Sequence, residues 1–148
     1  MTEKVLNILE TLLEAGVDEI SIADTVGYAH PRQVSSLLKS ALKLSGPLPV
    51  IAHFHDTQGF GLANLVSALE VGVKKFDASL RGLGGCPYAP GASGNIATED
   101  AVNLLESMGF QTNIDLKKLL TLCSEMEQWL PNEKLHGKFI SARGFPTG

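Results

Sequence analysis

Residues 50–59, Val50-Ile51-Ala52-His53-Phe54-His55-Asp56-Thr57-Gln58-Gly59, pass from an apolar run directly into a polar one. The apolar half reads as a short buried strand, and two histidines two positions apart leave a strand on the same face. Leu62, Leu65, Val66 and Leu69 then recur at helical spacing up to Gly72, so the unit is strand, turn, helix. Upstream, Val5, Ile8, Leu9, Leu12 and Leu13 share a helical face that stops at Gly16, and Glu19 through Asp24 reads as a strand. Pro31 suits the first position of a helix with the face Val34, Leu37, Leu38 and Ala41, ended by Ser45-Gly46-Pro47. Downstream, Lys75 through Leu80 reads as a third strand. Thr98-Glu99-Asp100 caps a helix with Ala101, Leu104, Leu105 and Met108 inward, and Asp115 caps a last helix toward Trp129.

This alternation is that of parallel βα units. Asp24, His53, His55 and the glycine-rich segment 82–95 all fall at or just past the C-terminal end of an expected strand, where a β/α barrel keeps its chemistry. Three strands cannot close a barrel of eight. The expected fold is therefore α/β: residues 1–148 as the C-terminal part of a (β/α)8 TIM barrel, about three parallel βα units plus C-terminal helices, with the N-terminal strands missing.

With 148 residues, 44% of them apolar, the chain suits one buried core. A net charge of −4 gives no basic footprint for nucleic acid, and no apolar run reaches a membrane span. No targeting segment is visible, so the expected setting is the bacterial cytoplasm or the mitochondrial matrix. Two cysteines make no disulfide framework: Cys123 shares a helical stripe with Leu116, Leu119 and Leu120 and reads as core.

Cys86 is different. It sits in Gly82-Leu83-Gly84-Gly85-Cys86-Pro87-Tyr88-Ala89-Pro90-Gly91-Ala92-Ser93-Gly94-Asn95, a segment of five glycines that favours a functional thiol over a packed one. His53 and His55 could point at one metal ion or be hydrogen-bonded histidines at a strand end. Asp56 could accept from an imidazole N–H or serve only the turn. Asn95 offers a hard oxygen that suits Mg²⁺ or Mn²⁺, and equally suits a turn. Asp24, beside Thr25 and Gly27, could orient substrate, move a proton, or hold an Asp-Thr-x-Gly turn. No phosphate-binding glycine motif is present.

Ile22-Ala23-Asp24-Thr25-Val26-Gly27, His53-Phe54-His55-Asp56-Thr57-Gln58-Gly59, Ala63-Asn64, and Gly82 through Asn95 followed by Ala97-Thr98-Glu99-Asp100 together resemble the hydroxymethylglutaryl-CoA lyase family. The resemblance runs in order across most of the chain, and the Gly-Gly-Cys-Pro-Tyr segment sets it apart from the related isopropylmalate and homocitrate synthases. It implies His53, His55 and Asn95 as ligands of a divalent cation, Cys86 as a catalytic thiol, His53 as a proton-transfer neighbour as well as a ligand, and Asp24 with Thr25 against an acyl-CoA substrate. For the intact enzyme it implies retro-aldol cleavage of 3-hydroxy-3-methylglutaryl-CoA to acetoacetate and acetyl-CoA. The family's first strand carries an adjacent Arg-Asp pair; here the arginines are Arg32, Arg81 and Arg143, and none precedes an aspartate. Arg81 also stands where the family pattern often has a small residue. The expected chain is thus inactive alone, completed by an N-terminal half-barrel or assembled as a homo-oligomer. The alternatives are a related acyl-CoA lyase or Claisen-type synthase, and a non-catalytic barrel fragment that self-associates.

Overall fold

The computed structural model describes residues 2–85 and 94–143. They fall into two compact units, Met1–Asp77 and Ala78–Gly148. The first runs α1 (Thr2–Glu14), β1 (Ile20–Asp24), α2 (Pro31–Ser45), β2 (Val50–Phe54), α3 (Gly61–Glu70) and β3 (Lys75–Asp77). The three strands form one parallel sheet in the order β1-β2-β3, with Ile20 opposite Val50, Ala23 opposite His53 and Ala52 opposite Phe76. Parallel neighbours need a helical crossover, and α2 and α3 supply them as the sequence periodicity predicts.

Alternation sets the core of this unit. Val50, Ala52 and Phe54 of β2 are buried, as are Val34, Leu38 and Ala41 of α2 and Leu65 and Ala68 of α3. Complete burial of a side chain such as Leu38 or Leu65 contributes about 1.5–3 kcal/mol. Pro31 does begin α2, and the His30 N–H just before it donates to the Gln33 side chain at 3.2 Å. The face of α1 differs from the expected one: Leu9 is buried with Ile20 and Ala41, and Leu6 and Leu13 pack against them, whereas Ile8 and Leu12 are exposed. Apolar residues at 5, 6, 8, 9, 12 and 13 define two overlapping stripes, and packing on Ile20 selects one.

The second unit opens where the third strand was expected to continue to Leu80. Strand pairing ends at Asp77; Ser79 makes only an isolated parallel bridge to Ala97, and Leu80–Gly82 forms a single 3₁₀ turn. Three helices follow: α4 (Thr98–Ser107), α5 (Leu116–Trp129) and α6 (Lys138–Arg143). Asp115 caps α5, accepting the Lys118 N–H at 3.1 Å. Thr98 does not cap α4: it lies inside the helix, Ala97 is the boundary residue, and Glu99 and Asp100 turn inward. Met108, expected inward, closes α4 exposed. The short α6 has no clear local signal, because its N-terminus is held from afar: the Asp100 carboxylate accepts the N–H groups of Lys138 and Phe139 at 2.7 Å each. Among the described residues no helix is long and apolar enough to cross a membrane.

Candidate active site

The turn after β1 is built on Asp24. One carboxylate oxygen accepts the N–H groups of Gly27 at 3.0 Å and Tyr28 at 3.2 Å, and the other accepts that of Ala29 at 2.9 Å. The turn is tied to α3 through Asn64, wholly buried, whose Nδ2 donates to the Ala29 carbonyl at 2.8 Å. Gly27 (φ 69°) must be glycine: a Cβ there would lie 2.7 Å from the backbone nitrogen and hydroxyl of Thr57. Thr25 lies exposed in this turn. The turn after β2 has the same economy, with the Asp56 carboxylate accepting the Gly61 N–H at 2.7 Å at the start of α3. Asp56 therefore serves the turn.

His53, at the C-terminal end of β2, and His55, one residue beyond it, lie side by side with ring centroids 5.2 Å apart and planes tilted by 58°. The His55 N–H of the main chain donates to the Asp24 carbonyl at 3.3 Å, joining the two strand ends. His55 is buried, and its Nδ1 has no hydrogen-bond partner among the described residues. Burial holds the His55 pKa below its ordinary value, with the neighbouring His53 adding to the effect and the Asp24 charge opposing it. A neutral imidazole with an orphaned nitrogen is the form that ligates metal. A cavity of about 380 Å³ in the same unit is lined by Ile22, Asp24, Tyr28, Leu38 and Phe54 among others. Its lining is mostly apolar, and its one carboxylate, that of Asp24, accepts the three N–H groups of the turn.

In the second unit, the Asn95 Nδ2 donates to the carbonyls of Leu83 at 2.7 Å and Gly84 at 3.1 Å. Two acceptors can be met only by the amide nitrogen, so the orientation of the amide is fixed. Its Oδ1 is left at the far end, buried and with no partner among the described residues. Among those residues no three His, Cys, Asp or Glu side chains come together as a metal-holding group. Each unit thus carries a buried donor atom with no partner among the described residues, the His55 Nδ1 in the first and the Asn95 amide oxygen, a hard donor of the kind that suits Mg²⁺ or Mn²⁺, in the second. Cys86 lies outside the described residues.

A buried polar group beneath residues 80–84, Glu99 with Arg81, has no counterpart among the residues expected from sequence. Glu99 of α4 has no solvent exposure; its Oε2 accepts the Arg81 N–H at 3.1 Å, its Oε1 has no hydrogen-bond partner among the described residues, and its charge acts on the buried Cys123 thiol. Burial foremost raises the Glu99 pKa, against the hydrogen bonds it accepts from backbone N–H groups. Arg81 is itself buried, and its Nη2 pairs with the Glu127 carboxylate of α5 at 2.5 Å. Burial and the Glu99 carboxylate push the Cys123 thiol up to about 12, so Cys123 is an inert core thiol, as its helical stripe implies. Only the departure of Arg81 from a small residue hinted at this group.

The model of the HMGL-like family matches residues 1–125. The chain belongs to the HMGL-like family. Within the family it is 48% identical over 126 residues to hydroxymethylglutaryl-CoA lyase of Bacillus subtilis, covering 85% of this chain and 42% of that one. It is 45% identical over 118 residues to (R)-citramalyl-CoA lyase of Chloroflexus aurantiacus, covering 80% and 37%. The structure of an HMG-CoA lyase from Acinetobacter baumannii, in complex with coenzyme A and 3-methylmalate, superposes with a TM-score of 0.89 at 43% identity over 98% of this chain and 47% of that one. This HMGL-like chain therefore spans less than half the length of these relatives. Its parallel strands with their crossover helices are a portion of the family's β/α barrel.

Proposed function

We propose that this chain is the part of a carbon–carbon lyase that carries two metal-ligating histidines, a ligating asparagine and a catalytic cysteine. The whole protein cleaves 3-hydroxy-3-methylglutaryl-CoA by a retro-aldol reaction to acetoacetate and acetyl-CoA. One observation carries the reading: the family match over residues 1–125 takes in every candidate residue from Asp24 to Asn95. His53, His55 and Asn95 hold Mg²⁺ or Mn²⁺, which when bound polarises substrate oxygens and makes the tertiary alcohol easier to deprotonate.

This chain's residues do the rest of the work on its side of the reaction. His55, kept neutral by burial, presents its lone pair, and the carbonyls of Leu83 and Gly84 hold Asn95 so that Oδ1 faces away from them. His53 and Asp24 serve removal of the hydroxyl proton. As the carbon–carbon bond breaks, the oxygen becomes the ketone of acetoacetate and the electron pair passes to the acetyl-CoA enolate, which Cys86 protonates. Thr25, exposed beside Asp24, contacts the acyl-CoA. Residues 1–148 form one part-barrel in this reading, in a bacterial cytoplasm or a mitochondrial matrix. Strands β1 and β3 each have a single paired neighbour among the described residues, an arrangement that favours docking of a complementing N-terminal half-barrel or a second copy.

A coupled acetoacetate assay tests this. The purified chain alone is expected to be silent, because it holds no adjacent Arg-Asp pair. Mixed with the N-terminal remainder of the Bacillus subtilis lyase it should turn over, and His53→Ala should abolish the turnover. Robust activity from the chain alone would sink the reading. The relative that acts as an (R)-citramalyl-CoA lyase favours a second reading, cleavage of a related acyl-CoA; preferential turnover of citramalyl-CoA by the mixture would select it.

A further inference from the structure

Arg81 is a buried arginine in a left-handed backbone conformation (φ 55°, ψ 24°), a region that side-chain-bearing residues seldom occupy without being held there. It is held at three points. Its N–H donates to Glu99 Oε2 at 3.1 Å, its carbonyl accepts the His136 N–H at 2.9 Å, and its guanidinium pairs with Glu127 at 2.5 Å. These grips come from three separate segments: α4, α5 and the stretch before α6. Gly82 follows at once in the left-handed region too, with a Cβ-sized gap filled by the His136 ring. The chain leaving Arg81 thus has a set direction, and two and three residues later it presents the carbonyls of Leu83 and Gly84 that receive the Asn95 amide.

We propose that Arg81, tied by its side chain to Glu127, is a positioning residue that fixes the Leu83 and Gly84 carbonyls and through them aims the Asn95 amide oxygen at the divalent cation, an inference that rests on the ligand role of Asn95 proposed above. The guanidinium suits the task for a physical reason. A planar, always-charged fork in a buried site holds its carboxylate partner in one geometry, and a charge-assisted hydrogen bond is about twice as strong as a neutral one. A small residue at this position, even one content with the left-handed backbone, leaves residues 80–84 tied to α4 and His136 but released from α5.

The test separates side chain from backbone. Arg81→Gly adopts the left-handed conformation free of strain and removes the whole side chain, guanidinium included, and Glu127→Gln keeps a hydrogen-bond acceptor while removing the charge. Two readouts apply to the full 148-residue chain. The first is hydrogen exchange of the Asn95 side-chain amide by ¹H–¹⁵N NMR, which needs no metal. The second is Mn²⁺ binding by electron paramagnetic resonance, with Asn95→Ala as reference. In Arg81→Gly the Asn95 amide should exchange at least tenfold faster and Mn²⁺ affinity should fall toward that of Asn95→Ala; Arg81→Lys should recover part of both, and Glu127→Gln should lie between. Unchanged Asn95 exchange in a folded Arg81→Gly overturns the positioning role. Faster exchange with Mn²⁺ affinity unaltered overturns its link to the cation. If Asn95→Ala itself leaves Mn²⁺ binding intact, the ligand assignment fails and takes this link with it, while the exchange data still decide whether Arg81 holds the amide.

Discussion

Replacing Glu99 by glutamine and by alanine should have opposite consequences, and the sign follows from burial. Glu99 is fully buried, accepts the Arg81 N–H, and has its pKa raised above 4.5 chiefly by desolvation. A carboxyl whose folded-state pKa is raised stabilises the fold most below its unfolded pKa, and that contribution is lost as pH rises through the folded value. Glu99→Gln keeps the acceptor for Arg81 and cannot ionise. The difference in unfolding free energy, glutamine variant minus parent, should therefore grow from about pH 4.5 upward and level off above the folded pKa. Glu99→Ala leaves the buried Arg81 N–H without its acceptor, about 1–3 kcal/mol, and removes buried methylenes at about 1 kcal/mol each or more, so a loss of about 3–5 kcal/mol is expected. Urea unfolding followed by circular dichroism and by Trp129, the only tryptophan, at the end of α5, gives the curves at several pH values. A difference that stays flat with pH, or an alanine variant as stable as the parent, would refute the reasoning.

Three further outcomes are expected. Cys123, buried with its thiol pushed up to about 12, should resist iodoacetamide in the folded chain while Cys86 is labelled first, and mass mapping that finds Cys123 labelled first would remove Cys86 from the mechanism. Gly27→Ala, strained in its backbone and 2.7 Å from Thr57, should lower stability by about 2 kcal/mol or more, read as a fall in the urea midpoint; an unchanged midpoint would mean that the two turns do not meet as described. Asn64→Ala frees the Ala29 carbonyl and should cost about 1–3 kcal/mol, with faster amide exchange at Gly27, Tyr28 and Ala29, whose N–H groups bind Asp24.

The first unit was largely legible in the sequence, because α2, β2 and α3 each carry one unambiguous stripe or a single apolar run with breakers at both ends. Where two stripes overlap, as in α1, local pattern could not choose between them, and contact with Ile20 decided. The second unit was less legible. The end of β3 depends on the bridge from Ser79 to Ala97 and on the left-handed Arg81, and α6 depends on a carboxylate some forty residues upstream, 38 and 39 positions from its two donors. Of the candidate site, the histidine pair was readable from strand periodicity. Asp24 could be read as a turn residue as well as a site residue, and its three N–H bonds establish the turn. Glu99 looked like a cap because its buried partners, Arg81 and Cys123, are distant in sequence.

The central claim is that His53 and His55 are ligands of a divalent cation in an HMGL-like lyase. Titration of the 148-residue chain with Mn²⁺, followed by electron paramagnetic resonance, addresses it directly. Weak binding of one Mn²⁺ is expected, since two imidazoles and an amide oxygen carry no negative charge, and His53→Ala with His55→Ala should abolish it. Tight binding that survives the double substitution would contradict the claim.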